Sequence, residues 1–137
     1  MSVEQMYQEN ILDHYRNPRN FGQMDKPDAD VNDYNPLCGD KIGIQLKIND
    51  NKIKEIKFYG SGCAISQASA SMLTEEISGK TIQDILKLTK EDVLDLLGIE
   101  ISYARLKCAL LALKVLKMAV YTSEGRKFDI SDKDFGL

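Results

Sequence analysis

Two alternating segments limit what this chain can fold into more than anything else in it. Ile42, Ile44, Leu46 and Ile48 fall on every second residue; Asn49-Asp50-Asn51 then interrupts; Ile53, Ile56 and Phe58 resume the apolar pattern among lysines and Glu55. A period of two puts such residues on one buried face of a strand. A short Asn/Asp connector between two such runs is hairpin chemistry. In an antiparallel hairpin the start of one strand lies beside the end of its partner. The segment Asn35-Pro36-Leu37-Cys38-Gly39-Asp40 immediately precedes the first strand, and Tyr59-Gly60-Ser61-Gly62-Cys63 closes the second. Cys38 and Cys63 are therefore predicted at the same end of one sheet.

The rest of the chain supplies helices to cover that sheet. Met6, Tyr7, Ile11 (with Leu12) and Tyr15 recur at three and four residues, a helix over 3–17 that Asn17-Pro18 ends. His14 has no other ligand type near it in sequence and reads as a surface or hydrogen-bonded histidine. Residues 16–27 are turn-rich and expected to be irregular, and 28–34 form a weak edge strand. After Cys63 a helix carries Ile65, Ala68, Met72 and Leu73, kept narrow by Ser66, Ser69, Ala70 and Ser71, with Gly79 closing it. Thr81 and Thr89 cap two short helices, each with acids in its first turn, and Gly98 stops the second. Ser102 opens a long helix to about Tyr121, with two apolar rows and a polar stripe of Lys107, Lys114, Lys117 and Tyr121. The expected class is α+β, a small antiparallel sheet of about three strands with helices packed on it. It forms a single domain over 1–137, with 122–137 a loosely ordered tail.

Bulk properties exclude several roles. With 137 residues, 43% of them hydrophobic and 28% charged, the chain has the make-up of an ordinary globular protein with a real core. A formal net charge of −3 gives no reason to expect nucleic acid as a partner. No apolar run reaches the roughly 20 residues that span a bilayer. Met1-Ser2-Val3-Glu4-Gln5 does not open like a secretory signal. A cytoplasmic location is expected.

Three cysteines, an odd number, point in a reducing compartment to ligands, nucleophiles or buried filler rather than disulfides. Glycine flanks both Cys38 and Cys63, and glycine lets main chain approach a bound group closely, which filler does not need. Cys63 and Cys108 also fall in the first turn or two of helices, where the dipole favours thiolate. Asp40 adds a hard oxygen beside soft sulfur. Three thiolates and a carboxylate suit either tetrahedral zinc or a [2Fe–2S] cluster. A weak oxygen in place of a fourth thiolate makes most sense for cargo that must leave. Asp40 as a simple turn cap is the competing reading. The wide spacings between the cysteines match no compact zinc-finger pattern.

The sequence resembles the iron–sulfur cluster scaffold family of IscU, SufU and the N-terminal domain of NifU. The resemblance runs from Met6-Tyr7 and Asn17-Pro18-Arg19-Asn20-Phe21-Gly22 to about Val120. Its specific motifs are Asn35-Pro36-Leu37-Cys38-Gly39-Asp40, Gly60-Ser61-Gly62-Cys63-Ala64-Ile65-Ser66-Gln67-Ala68-Ser69-Ala70 and Arg105-Leu106-Lys107-Cys108. It implies that Cys38, Cys63 and Cys108 are scaffold cysteines and sulfur-acceptor candidates, and that Asp40 assists assembly and release. It further implies a non-enzymatic carrier that takes sulfur from a cysteine desulfurase and iron from a donor. The carrier passes a transient [2Fe–2S] cluster to apo acceptor proteins. The alternative within the family is a SufU-like zinc-dependent sulfur acceptor in which the same four residues hold Zn²⁺.

Two departures mark this chain. Lys107 stands before the third cysteine where IscU-type members carry histidine, a poor ligand but a neighbour able to support a thiolate. The Leu-Pro-Pro-Val-Lys segment that engages a specialised Hsp70 chaperone is replaced by Ile101-Ser102-Tyr103-Ala104-Arg105, which argues against that hand-off. Lys107 is SufU-like, yet the SufU insertion has no room between Gly79 and Ser102, so the chain falls between the branches. Apolar residues near the first helix suit a partner or a homo-oligomer equally.

Overall fold

The computed structural model describes residues 3–36 and 39–125, with side chains from Gln8 onward. In chain order it holds α1 (Val3–Arg16), β1 (Ala29–Tyr34), β2 (Lys41–Asn49), β3 (Lys52–Ser61), α2 (Ala64–Ile77), α3 (Ile82–Leu86), α4 (Lys90–Leu97) and α5 (Tyr103–Ser123). The strands form one antiparallel sheet in the order β1-β2-β3. The α+β architecture expected from the sequence is the one observed.

Asp50 and Asn51 adopt left-handed backbone angles, φ 52° and 63°, the two-residue geometry that suits the twist of a hairpin. Asn49 then pairs with Lys52, and at the far end Lys41 pairs with Ser61. A bulge between Lys47 and Ile48 re-aligns the ladder so that Leu46 opposes Ile56 and Ile44 opposes Phe58. That register decides the site: Asp40, one residue before Lys41, is brought level with the glycine one residue after Ser61.

The central strand differs from its expected pattern. Ile42, Gly43, Ile44, Gln45 and Leu46 are all buried, so β2 has two covered faces rather than one. Ile42, Ile44 and Leu46 join the core with α2 and α5. On the other face the Tyr59 ring lies over Gly43, where a Cβ would come within 2.1 Å of it. The turn-rich segment after α1 is responsible for the rest. It pairs with β3 through Phe58 N–H to Asn20 O and Gly22 N–H to Phe58 O (both 2.9 Å). It then crosses to Gln45, whose Oε1 accepts from Met24 N–H at 2.7 Å and whose Nε2 donates to Asp30 at 3.0 Å. A buried amide is tolerated when so satisfied.

The helix signals are mostly met. Thr81 and Thr89 form capping boxes with Asp84 and Asp92, and Gly98 closes α4 in the left-handed conformation. Ser102 occupies the N-cap position of α5, but its hydroxyl makes no capping bond. The small residues of α2 are buried as expected, and Ser69 Oγ donates to Ala109 O at 2.7 Å, holding α2 close to α5. The lysine stripe of α5 is only half exposed: Lys114 pairs with Asp33 at 2.9 Å, and Lys117 donates to the carbonyls of Leu86, the last residue of α3, and Leu88 just after it. On α1, Ile11 and His14 are buried, while Leu12 and Tyr15 are exposed, so the buried face is rotated from the expected stripe. Helix α5 reaches Ser123, and the expected tail beyond Gly125 lies outside the described residues. Among the described residues no helix is long and apolar enough to cross a membrane.

Candidate metal and sulfur centre

The site forms where the hairpin end meets two helices. Asp40 leads into β2, Cys63 is the N-cap of α2, and Cys108 lies in the second turn of α5. One carboxylate oxygen and the two sulfurs all lie within 4.8 Å of one another. Cys38, predicted to join them, lies outside the described residues.

Asp40 is 1% exposed, and its position follows from the hairpin register. Its Oδ1 accepts the Cys63 backbone N–H at 2.8 Å, and its Oδ2 lies 3.5 Å from Cys63 Sγ. Cys63 has no side-chain cap of its own for α2. Asp40 therefore serves as the helix cap in trans, placing its negative charge at the positive end of the dipole. The turn-cap reading and the ligand reading of Asp40 are compatible: Oδ1 makes the cap, and a carboxylate oxygen lies within 4.8 Å of both sulfurs.

Gly62 explains why the carboxylate can come so near. A Cβ there would lie 2.3 Å from Asp40 Oδ1 and 2.9 Å from Ser66 Oγ. A glycine beside a cysteine is expected to admit a bound group; at Gly62 the group accommodated is the protein's own carboxylate.

A cleft of about 310 Å³ opens over the three donors, lined by Asp40, Gly62, Cys63, Ala104, Arg105 and Cys108. Cys63 is half-buried and Cys108 buried. Lys107, expected beside the site, is half-buried and is not among the lining residues. Arg105 takes the rim instead. The signal for this was available: residues three and four before Cys108 share its face of a helix, whereas the residue one before does not.

His14 takes no part in this donor set. It is 5% exposed, and its Nδ1 lies 2.7 Å from Ser71 Oγ on α2. Ser71 Oγ also accepts the Arg19 N–H at 2.9 Å. Burial, and then the nearby Arg19 charge, hold the imidazole pKa below its ordinary value. The hydrogen bond between the neutral ring and the Ser71 hydroxyl seals α1 against α2.

A buried thiol–carboxylate cluster on a three-stranded sheet covered by helices defines the class of protein. The chain belongs to the NifU-like N-terminal domain family, whose pattern matches residues 6–129. It is 39% identical over 134 residues to iron-sulfur cluster assembly scaffold protein IscU 1 of Archaeoglobus fulgidus, covering 96% of this chain and 86% of that one. It is also 39% identical over 142 residues to the zinc-dependent sulfurtransferase SufU of Bacillus subtilis, covering 90% and 95%. Among solved structures, a candidate scaffold protein for the SUF system from Fervidobacterium islandicum AW-1 superposes with a TM-score of 0.74. The two are 28% identical over 87% of this chain and 99% of that one. The N-terminal part of a NifU-like protein from Brucella abortus shares the fold, with TM-score 0.75 at 22% identity over 90% and 99%.

Proposed function

We infer that this chain is a scaffold on which an iron–sulfur cluster is assembled and then handed on, a carrier without turnover of its own. The observation that carries this reading is the convergence of Asp40, Cys63 and Cys108, from three separate elements, within 4.8 Å. Cys38 completes the ligand set as its third sulfur, two residues from Asp40. The cargo is a [2Fe–2S] cluster. Two thiols, a carboxylate and Cys38 supply four donors, and the single oxygen makes the set weaker than four thiolates, as release requires.

Sulfur arrives from a cysteine desulfurase. A thiolate of Cys38, Cys63 or Cys108 attacks the outer sulfur of the donor's persulfide; the donor S–S bond breaks, its cysteine leaves as thiolate, and a new S–S bond forms on this chain. Asp40 anchors Cys63 at the helix start, in the cleft that Arg105 also lines. An external electron donor supplies the two electrons that break each new S–S bond, releasing sulfide and restoring the thiolate; iron from a donor protein joins, and apo acceptor proteins receive the product in the cytoplasm.

A second reading is favoured by the Bacillus subtilis relative, named a zinc-dependent sulfurtransferase. The same S₃O set suits tetrahedral zinc, which would then hold the ligands while one cysteine accepts sulfur. Anaerobic reconstitution with iron, cysteine and a desulfurase separates the two. A labile cluster seen by absorption and Mössbauer spectroscopy supports the scaffold. Tightly held zinc that must be displaced before sulfur transfer supports the sulfurtransferase. Uptake of neither overturns both.

A further inference from the structure

Gln67 Nε2 is the one fully buried side-chain nitrogen, among the described residues, left without a hydrogen-bond partner. The residue is 7% exposed. It sits in α2 at the fourth position after Cys63, and Ser71 follows four further on, so the three share one face of the helix. The other two members of this polar row are engaged. Ser71 is held by His14 and the Arg19 N–H, and the Cys63 thiol faces the Asp40 carboxylate. Only the middle position presents a donor to nothing.

An unmet buried donor lowers stability, while an apolar side chain of the same length would not. A trapped water would need two to four polar partners, and the neighbours in the row already have theirs. Long side chains on a helix lean toward its N-terminus, which for Gln67 is the turn begun by Cys63. What reaches Cys63 in the loaded state, on the function proposed above, is sulfur bearing negative charge. Such sulfur has lone pairs to offer and no proton, so it needs donors.

We propose that Gln67 is a positioning residue that donates an N–H···S hydrogen bond to the sulfur cargo at Cys63, persulfide or bridging sulfide. The inference rests on the scaffold reading and adds a residue that the ligand set does not contain. The carboxamide is held ready in the empty protein and is satisfied on loading.

The test uses Gln67→Met and Gln67→Leu in the full chain, each removing the donor while keeping an apolar body. Three quantities are measured: melting of the metal-free protein, affinity for Zn²⁺ alone, and survival of an anaerobically reconstituted cluster against a chelator. The metal-free variants are expected to melt higher by roughly 4 °C, because the orphaned donor is gone. Zinc affinity is expected to stay unchanged. Cluster lifetime is expected to fall about tenfold, the size of one hydrogen bond to a charged acceptor. Equal cluster lifetimes overturn the proposal. So do variants that melt several degrees lower, which would make the amide a fold contact, or an equal loss of zinc affinity, which would assign it to the protein's own thiolate. A wild-type chain that takes up no cluster sinks the scaffold reading itself, a result distinct from a wild type that loads and variants that load equally well.

Discussion

Replacing Gly62 by alanine tests whether the site depends on a carboxylate packed against main chain. The new methyl carbon would lie 2.3 Å from Asp40 Oδ1 and 2.9 Å from both Asp40 Cγ and Ser66 Oγ. Relieving the first contact requires a shift of roughly an ångström, since unstrained non-bonded heavy atoms sit near 3.5 Å. Asp40 is 1% exposed and has little room to yield. The shift breaks its 2.8 Å bond from Cys63 N–H. A hydrogen bond to a charged group contributes about 1.5–3 kcal/mol, and loss of a helix cap about 1 kcal/mol; these describe largely the same contact, so Gly62→Ala should cost about 2–3 kcal/mol. The donor triangle should open with it, weakening Zn²⁺ or Cd²⁺ binding at least tenfold. Urea unfolding of the metal-free protein and a competitive metal titration measure the two effects. Gly43→Ala is the control: its Cβ would meet the Tyr59 ring at 2.1 Å in the middle of the sheet, so it should destabilise the hairpin without a specific effect on metal once folded. Unfolding within about 0.5 kcal/mol of wild type, with unchanged metal affinity, would refute the packing argument, because surface-like changes fall in that range.

Further predictions follow from individual contacts. Asp40→Ala should slow hand-off of a bound cluster to an apo-ferredoxin, followed by visible spectroscopy, and an unchanged rate would reduce Asp40 to a helix cap. Burial lowers the His14 pKa, so the folded state favours the neutral ring. The stability this lends is present above the unfolded value of about 6.5 and is lost as pH falls from there through the lower folded value. Hydrogen exchange of α1 amides should accelerate over that window, and His14→Gln should flatten the dependence. Thr89→Ala removes a capping box whose bonds measure 2.8 and 3.3 Å, and should cost about 1 kcal/mol in urea unfolding with no change in metal affinity.

The sequence made legible whatever is set by neighbours along the chain. The two-residue turn at Asp50-Asn51, the capping threonines and the glycine stop at Gly98 each depend on a few adjacent residues, and each stands where it was expected. The hairpin then carried this local information to the site, since its register alone brings Asp40 beside Gly62 and Cys63. What was missed depends on contacts between distant segments. Gln45 is buried because residues 20–28 fold back over β2, and no period within β2 announces that cover. For His14 the sequence leaves surface and hydrogen-bonded readings open, and the choice between them is made by Ser71, far along the chain, which meets its ring. The placement of Arg105 rather than Lys107 on the cleft was open to inspection, because helical periodicity alone favours the residue three before Cys108. Gln67 was hidden for a different reason: an unmet donor is visible only after every neighbour has been accounted for.

The two duties of Asp40 bear on how firmly a site of this kind can hold its contents. Oδ1 accepts the Cys63 N–H, and Oδ2 lies 3.5 Å from the Cys63 sulfur. A metal bound through both oxygens would compete with that N–H for Oδ1, and the first turn of α2 has no side-chain cap of its own in reserve. On the proposed function, binding through a single oxygen would leave α2 its first turn. A thiolate in its place would bind iron more strongly and would accept the same N–H more weakly. On the proposed scaffold function, an aspartate at this position would keep the helix start ordered and the ligand set one weak bond short of a permanent site. Withdrawing that oxygen would then expose one coordination position while the thiols hold the rest, the change by which an acceptor protein's cysteine would enter.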